Sequence, residues 1–206
     1  MKMASNCYSC ILDRAKFECD ILFSDDDRKK EAMEELLDFM VQHKGMVPSV
    51  VGTEREEIMK RRSKNPDPYR EMKAESNRVA TDLLPLARRF YEESEDKLEA
   101  LIRIAAAANS MEWGVKGHDF DVDSFEDVFF DTLNENFDGD LEEARRRIDR
   151  FEKILYLTDN AGEIVFDLFV IEKLEEMGKR VVIGPKTAPI LNDVTADELL
   201  SMTTLP

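Results

Sequence analysis

"LYLTDNAGEIVFD" (residues 155–167) decides how the chain is read. An apolar run stops at Asp159-Asn160, turns on Ala161-Gly162 and restarts at Glu163 with the spacing of a helix. Just before the turn, "KILYLT" (153–158) has the composition of a short strand. "EIVFDLFVIEKLEEMG" follows as a helix stopped by Gly178, and "KRVVIGP" (179–185) is a second β-type run. Strand, helix, strand over so short a span predicts a βαβ unit with its two strands parallel and adjacent.

In an open parallel sheet, ligands collect beyond the carboxyl ends of the strands. Asp159 and Asn160 occupy one such end. Gly184, Pro185 and Lys186 occupy the next, with Asn192-Asp193 a short loop later. A carboxylate and an amide oxygen are hard donors suited to Mg²⁺ or Mn²⁺. The helix start at Glu163 offers backbone N–H groups to an anion. Together they point to a phosphate ester held through a cation, with Asp193 able to reach the cation placed at Asp159. On position alone a plainer alternative stays open: Asp159 or Asn160 caps one helix, and Asp193 or Thr195 caps the last, "ADELLSM".

Upstream the chain reads as helix after helix. In "RKKEAMEELLDFMVQHKG", Met33, Leu36, Leu37, Met40 and Val41 form one apolar stripe, with Gly45 as a stop. "TEREEIMKRR" opens with Thr53 and Glu56 at capping-box spacing. "NPDPYREMKAESNRVATDLLPLARRFYEES" starts with Asp67 as N-cap and Pro68 at the first helical position, and Pro85 should kink or break it. On that helix Asp67, Tyr69, Lys73 and Asn77 could share a face, with Lys73 and Asn77 near a phosphate. "EDKLEALIRIAAAANSMEWG" is a further helix ended by Gly114. Residues 116–140, acidic and aromatic, read as a connector, and "DLEEARRRIDRF" as a helix capped by Asp138 or Asp140. The expected division is a helical region 1–118, a connector and helix 119–152, and an α/β region 153–206.

Composition narrows the partners. The 206 residues carry 45 acids against 29 bases, a net charge of −16, the wrong sign for a nucleic-acid binder or for an anionic membrane surface. No apolar run has transmembrane length and the N-terminus lacks a signal-peptide core. Three cysteines, Cys7, Cys10 and Cys19, fit a reducing cytoplasm better than a disulfide framework. Cys7 and Cys10 stand one helical turn apart and are read as reduced thiols ahead of a metal pair, since only Cys19, His43 and His118 could complete a zinc site. "DFDVDSFED" lacks the glycine and terminal glutamate of a calcium loop. His43 and His118 read as surface or boundary residues.

"NPDPYREMKAESN", "AAAANSMEWG", "LTDNAGEIVFD" and "PILNDVT", in this order along nearly the whole chain, resemble the metal-dependent damage-control phosphatases, also described as acidic-residue methyltransferase-like metal-binding proteins. "CYSC" resembles the Cys-x-x-Cys of the archaeal and bacterial branch. The resemblance implies a helical N-terminal region followed by a Rossmann-like parallel α/β region. It implies a divalent cation (Mn²⁺, Mg²⁺, Ni²⁺ or Co²⁺) on Asp159, Asn160 and Asp193. It also implies a Gly-Asn-x-x-Asp contribution, which here falls on Ala108, Asn109 and, with one more methylene, Glu112.

The implied activity is hydrolysis of small phosphorylated metabolites, with Glu163 orienting ligands or water and with Asn109, Glu112, Lys186 and Lys73 toward the substrate. A methyltransferase using S-adenosylmethionine and a non-catalytic metal-binding module are the alternatives; "DNAGE" is not a glycine-rich dinucleotide loop. Relatives continue into further strands and a lysine-bearing phosphate grip, so the α/β region looks incomplete. The expectation is therefore a chain that self-associates and, as a monomer, turns over slowly.

Overall fold

A computed structural model describes residues 2–109, 122–135 and 139–203. In chain order the elements are α1 (Ser5–Leu22), α2 (Asp26–Gln42), α3 (Pro48–Ser63), α4 (Arg70–Glu93), α5 (Lys97–Ala108), α6 (Val122–Asn134), α7 (Leu141–Arg150), β1 (Lys153–Leu157), α8 (Glu163–Glu176), β2 (Arg180–Gly184) and α9 (Ala196–Met202). The protein is α/β, mostly helical, with β1 and β2 paired in parallel from Lys153 opposite Arg180 to Leu157 opposite Gly184. The crossover through α8 is the βαβ unit predicted from 153–185.

The chain divides into two compact units. The first holds α1, α2 and α3 with Pro189–Leu191. Its core is Ile11, Ala15, Cys19, Phe23, Leu36, Ile58 and Met59. Buried Glu18 sits in that unit with Arg55 Nε donating to it at 2.9 Å and Tyr69 Oη at 3.1 Å, so the charge is paired and hydrogen-bonded. Both oxygens of buried Glu56 accept the Leu191 N–H, at 2.9 and 2.8 Å.

The second unit holds nearly all of α4, with α5 to α9 and both strands. Alternation along the strands sends Ile154, Tyr156, Val181 and Ile183 inward onto its core. That core is built on α8, whose Ile164, Phe166, Phe169 and Val170 are buried. Phe166 stacks on Phe129 of α6 at 4.9 Å between centroids, and Phe169 meets Tyr91 edge-on at 5.6 Å. Leu155 and Leu157 point the other way and are 64% and 72% exposed, as strict period-two alternation requires when one sheet face is uncovered.

Several local readings need correction. The buried stripe of α2 is Ala32, Leu36 and Met40, while Leu37 and Val41 are exposed. Thr53 caps nothing: α3 has already begun at Pro48, and the Thr53 hydroxyl donates to the Ser49 carbonyl at 3.0 Å. Asp67 and Tyr69 precede α4 rather than lying on it, so they share no helix face with Lys73 and Asn77. Pro85 neither ends nor interrupts α4. The proline removes one N–H from the ladder, and burial of Val79, Ala80, Leu83 and Ala87 on both sides of it outweighs that loss.

α5 stops at Ala108, where the Asn109 N–H closes on the Ala105 carbonyl at 3.2 Å; Gly114 lies outside the described residues. The acidic connector contains a helix, α6, because Phe129 and Leu133, four residues apart, are both buried. Asp140, of the two candidates, caps α7 by accepting the Glu143 N–H.

Candidate active site at two strand ends

The turns after β1 and β2 are knitted by backbone. Val194 N donates to the Asp159 carbonyl at 2.8 Å, and Ala161 N donates to the Asn192 carbonyl at 2.8 Å. Asn160 and Asp193 thereby form an antiparallel bridge. The sequence placed these residues in trailing loops of adjacent strands, and the structure joins the loops directly.

Lys186 is pinned beside them. Its N–H donates to the Val194 carbonyl at 3.1 Å, and its own carbonyl accepts from Ala196 N at 2.9 Å. From there its ammonium lies 3.3 Å from Asp193 Oδ2 and 3.8 Å from Asp159 Oδ1. Asp159 is half exposed and Asp193 mostly buried, so the two carboxylates meet at the edge of the protein rather than inside it.

Glu163, the first residue of α8, is buried beneath this edge. Its Oε2 accepts from Asn109 Nδ2 at 3.2 Å and from the Asn160 backbone and side-chain nitrogens, each at 3.4 Å. Burial pushes the Glu163 carboxyl above its usual range against these hydrogen bonds, and the charge of Asp159 adds to the push. The side-chain nitrogen of Asn160 also faces Asp159 Oδ2 at 3.4 Å. With its NH₂ turned toward two carboxylates, Asn160 keeps Oδ1 as an oxygen donor for a cation.

The turn that leads into the helix is held by the protein's own hydrogen bonds. The Asn160 N–H faces Glu163, the Ala161 N–H is taken by Asn192, and the Gly162 N–H is taken by Asn77 Oδ1 at 2.7 Å. Gly162 holds φ at +86°, a value that favours glycine and turns its N–H toward Asn77 of α4. Asn77 thus fastens the turn from a helix 85 residues earlier.

Of the other candidates, Lys73 is buried and pairs with Glu198 at 2.6 Å. Burial opposes ionisation of Glu198, yet bonds from Lys73 and Thr195 hold its carboxyl below the usual range. Glu198 and Thr195 close the capping box of α9, so the cap expected at Asp193 or Thr195 is Thr195. Glu112 and His118 lie outside the described residues. Cys10 is exposed and Cys7 partly so, while Cys19 is buried.

Two residues escaped the sequence reading. Tyr156 Oη donates to Asp167 Oδ1 at 2.5 Å, in a part of α8 otherwise packed with apolar side chains. Burial pushes the Asp167 carboxyl up to about 7, against the Tyr156 bond and with the charges of Glu163 and Asp159 adding. The available signal was a lone acid in an apolar helix, four residues after Glu163.

The donor set fits a hard divalent cation. Two carboxylates converge on a positive group already, and an amide oxygen stands next to them. Among the described residues no group of three or more His, Cys, Asp or Glu is placed to hold a metal ion, so a cation here would have to draw on the Asn160 amide as well. Buried Thr158 Oγ1 and Asn192 Nδ2, one residue before Asp159 and Asp193 respectively, have no hydrogen-bond partner among the described residues.

Residues 3–204 match the family model of the Damage-control phosphatase ARMT1-like domain. The chain is 28% identical over 212 residues to a damage-control phosphatase of Archaeoglobus fulgidus, a match covering 96% of this chain and 69% of that one. It is 30% identical over 213 residues to an uncharacterized protein of Methanocaldococcus jannaschii, covering 96% of this chain and 66% of that one. A crystal structure of a DUF89 family protein from Pyrococcus horikoshii matches with a TM-score of 0.83 at 25% identity, over 98% of this chain and 70% of that one.

Proposed function

The chain belongs to the Damage-control phosphatase ARMT1-like domain family, and from that membership we propose that it is a divalent-metal-dependent phosphatase acting on small phosphorylated metabolites. Sugar phosphates and damaged phosphometabolites are the substrate class. The observation that best supports a metal is the convergence of Asp159 and Asp193 on one positive charge beside the Asn160 amide.

Asp159, Asn160 and Asp193 are the residues that would hold the cation, with Mn²⁺, Mg²⁺, Ni²⁺ and Co²⁺ as candidates. When bound it supplies a Lewis acid for phosphoryl oxygens, which carry the charge in phosphoryl transfer. The protein's own part is orientation and proton placement. Asn109 and Asn160 aim the Glu163 carboxylate, and its raised affinity for protons suits it to hold one beside the reacting group. Lys186 has the position and charge to meet the substrate phosphate. Lys73, through Glu198, steadies α9 and the loop before it.

The reading is tested by phosphate release from a panel of sugar phosphates, with and without added Mn²⁺ and with a chelator. Metal-stimulated release that the chelator removes is the expected result. Methyl transfer from labelled S-adenosylmethionine without phosphate release would replace it with the transferase. Metal binding with no turnover on any phosphoester would leave a metal-binding module.

Asn109→Ala should lower turnover about tenfold, the usual cost of losing a group that orients a site residue. The fold should be intact, because Asn109 is exposed and its N–H still closes α5. An unchanged kcat would return Asn109 to a simple helix cap.

A further inference from the structure

The position of Lys186 raises a question of occupancy. A divalent metal binds carboxylate oxygens at about 2.0–2.6 Å. The Lys186 ammonium stands 3.3 and 3.8 Å from oxygens of the two carboxylates that would hold it. The ammonium faces one oxygen of each carboxylate, so a cation held by the same two groups meets a like charge close by, and each raises the energy of the other. The backbone of Lys186 is fixed on both sides by Val194 and Ala196. Its side chain is 44% exposed on a flexible stem. The anchor is therefore fixed by hydrogen bonds, whereas the ammonium hangs on a rotatable stem.

We propose that Lys186 is an exchangeable counter-ion of this site: it neutralises Asp159 and Asp193 without metal, yields its place when a divalent cation arrives, and then turns to the phosphate of the substrate. The inference rests on the cation site proposed above and assigns that site a built-in competitor. Two further observations favour a second role after displacement. The N–H groups of Asn160, Ala161 and Gly162 are already taken by the protein, so the turn before α8 gives a phosphate little grip. Asp159, Asp193 and Lys186 together sum to one negative charge, and a divalent cation turns that sum positive, which favours an anion beside the ammonium.

Competition makes a counter-intuitive prediction: removing a residue from the site improves metal binding. Lys186→Gln should bind Mn²⁺ about fivefold more tightly than the parent by calorimetry, the scale on which an exposed ion pair shifts a binding constant. With Mn²⁺ saturating, the same variant should bind inorganic phosphate about fivefold more weakly. Lys186→Arg keeps the charge and should not share the gain in Mn²⁺ affinity. Unchanged or weaker Mn²⁺ binding in Lys186→Gln overturns the exchange, as does an equal gain in Lys186→Arg. Tighter Mn²⁺ with undiminished phosphate binding overturns the second role. If the parent itself binds no Mn²⁺, the cation site proposed above falls, and the exchange with it.

Discussion

Asp159→Ala and Asp193→Ala should each lose measurable Mn²⁺ binding and at least about a hundredfold in phosphate release, on the scale of removing one group that stabilises transition-state charge. Each variant deletes one of the two carboxylates proposed to hold the cation. The losses should not come from unfolding. Much of the structural work of both residues is done by backbone: the Asp159 carbonyl accepts from Val194, and Asp193 bridges Asn160 through its main chain. Those bonds survive truncation of the side chains. Calorimetric titration with Mn²⁺ beside a melting curve separates the two outcomes. If both variants bind Mn²⁺ like the parent, the cation is held elsewhere. If both melt far below the parent, the carboxylates are structural and the functional reading loses its main support.

How much of this was legible beforehand depended on how local the determinant was. The βαβ unit was legible because strand alternation and helical spacing are written within a few residues, and Gly178 marks its boundary with φ at +82°. The stripe of α2 was half legible. Leu36 and Met40 belong to it, but Ala32 completes it instead of Leu37 and Val41. A period of 3.6 allows two overlapping stripes, and the helix that packs against one of them decides which is buried. Continuity through Pro85 was likewise decided by packing on either side.

At the site, the type and order of the candidate ligands could be read from two turns. Their joining could not, because it rests on Asn192 and Val194 meeting Ala161 and Asp159 across strands. The fastening of the turn before α8 was invisible for the same reason: its Gly162 N–H is taken by Asn77, which no local pattern connects to it. Asp167 was passed over because an acid on an amphipathic helix is ordinarily assigned to the solvated face. Here α8 is buried nearly all round, so the acid has no such face to occupy.

That acid carries the second large expected effect. Asp167 is raised from an ordinary 3.8 to about 7, chiefly by burial. Its folded value lies above its unfolded value, so between the two the folded state holds more protons than the unfolded chain. Its contribution to stability is complete below 3.8 and is lost as pH rises through about 7. Ionised at higher pH, the carboxylate opposes folding by up to about 4 kcal/mol. Asp167→Asn keeps an oxygen to accept the Tyr156 hydroxyl and removes the charge. The variant should match the parent near pH 4 and exceed it by a few kcal/mol near pH 8, measured by urea unfolding at both values. Glu18, Glu56 and Glu163 are also pushed up by burial and impose a fall of the same sign on both proteins. The difference between variant and parent isolates Asp167. An equal stability gap at both pH values would mean that Asp167 is ionised throughout. A variant less stable than the parent near pH 8 would mean that the buried negative charge is wanted there, beside Glu163 and the strand ends.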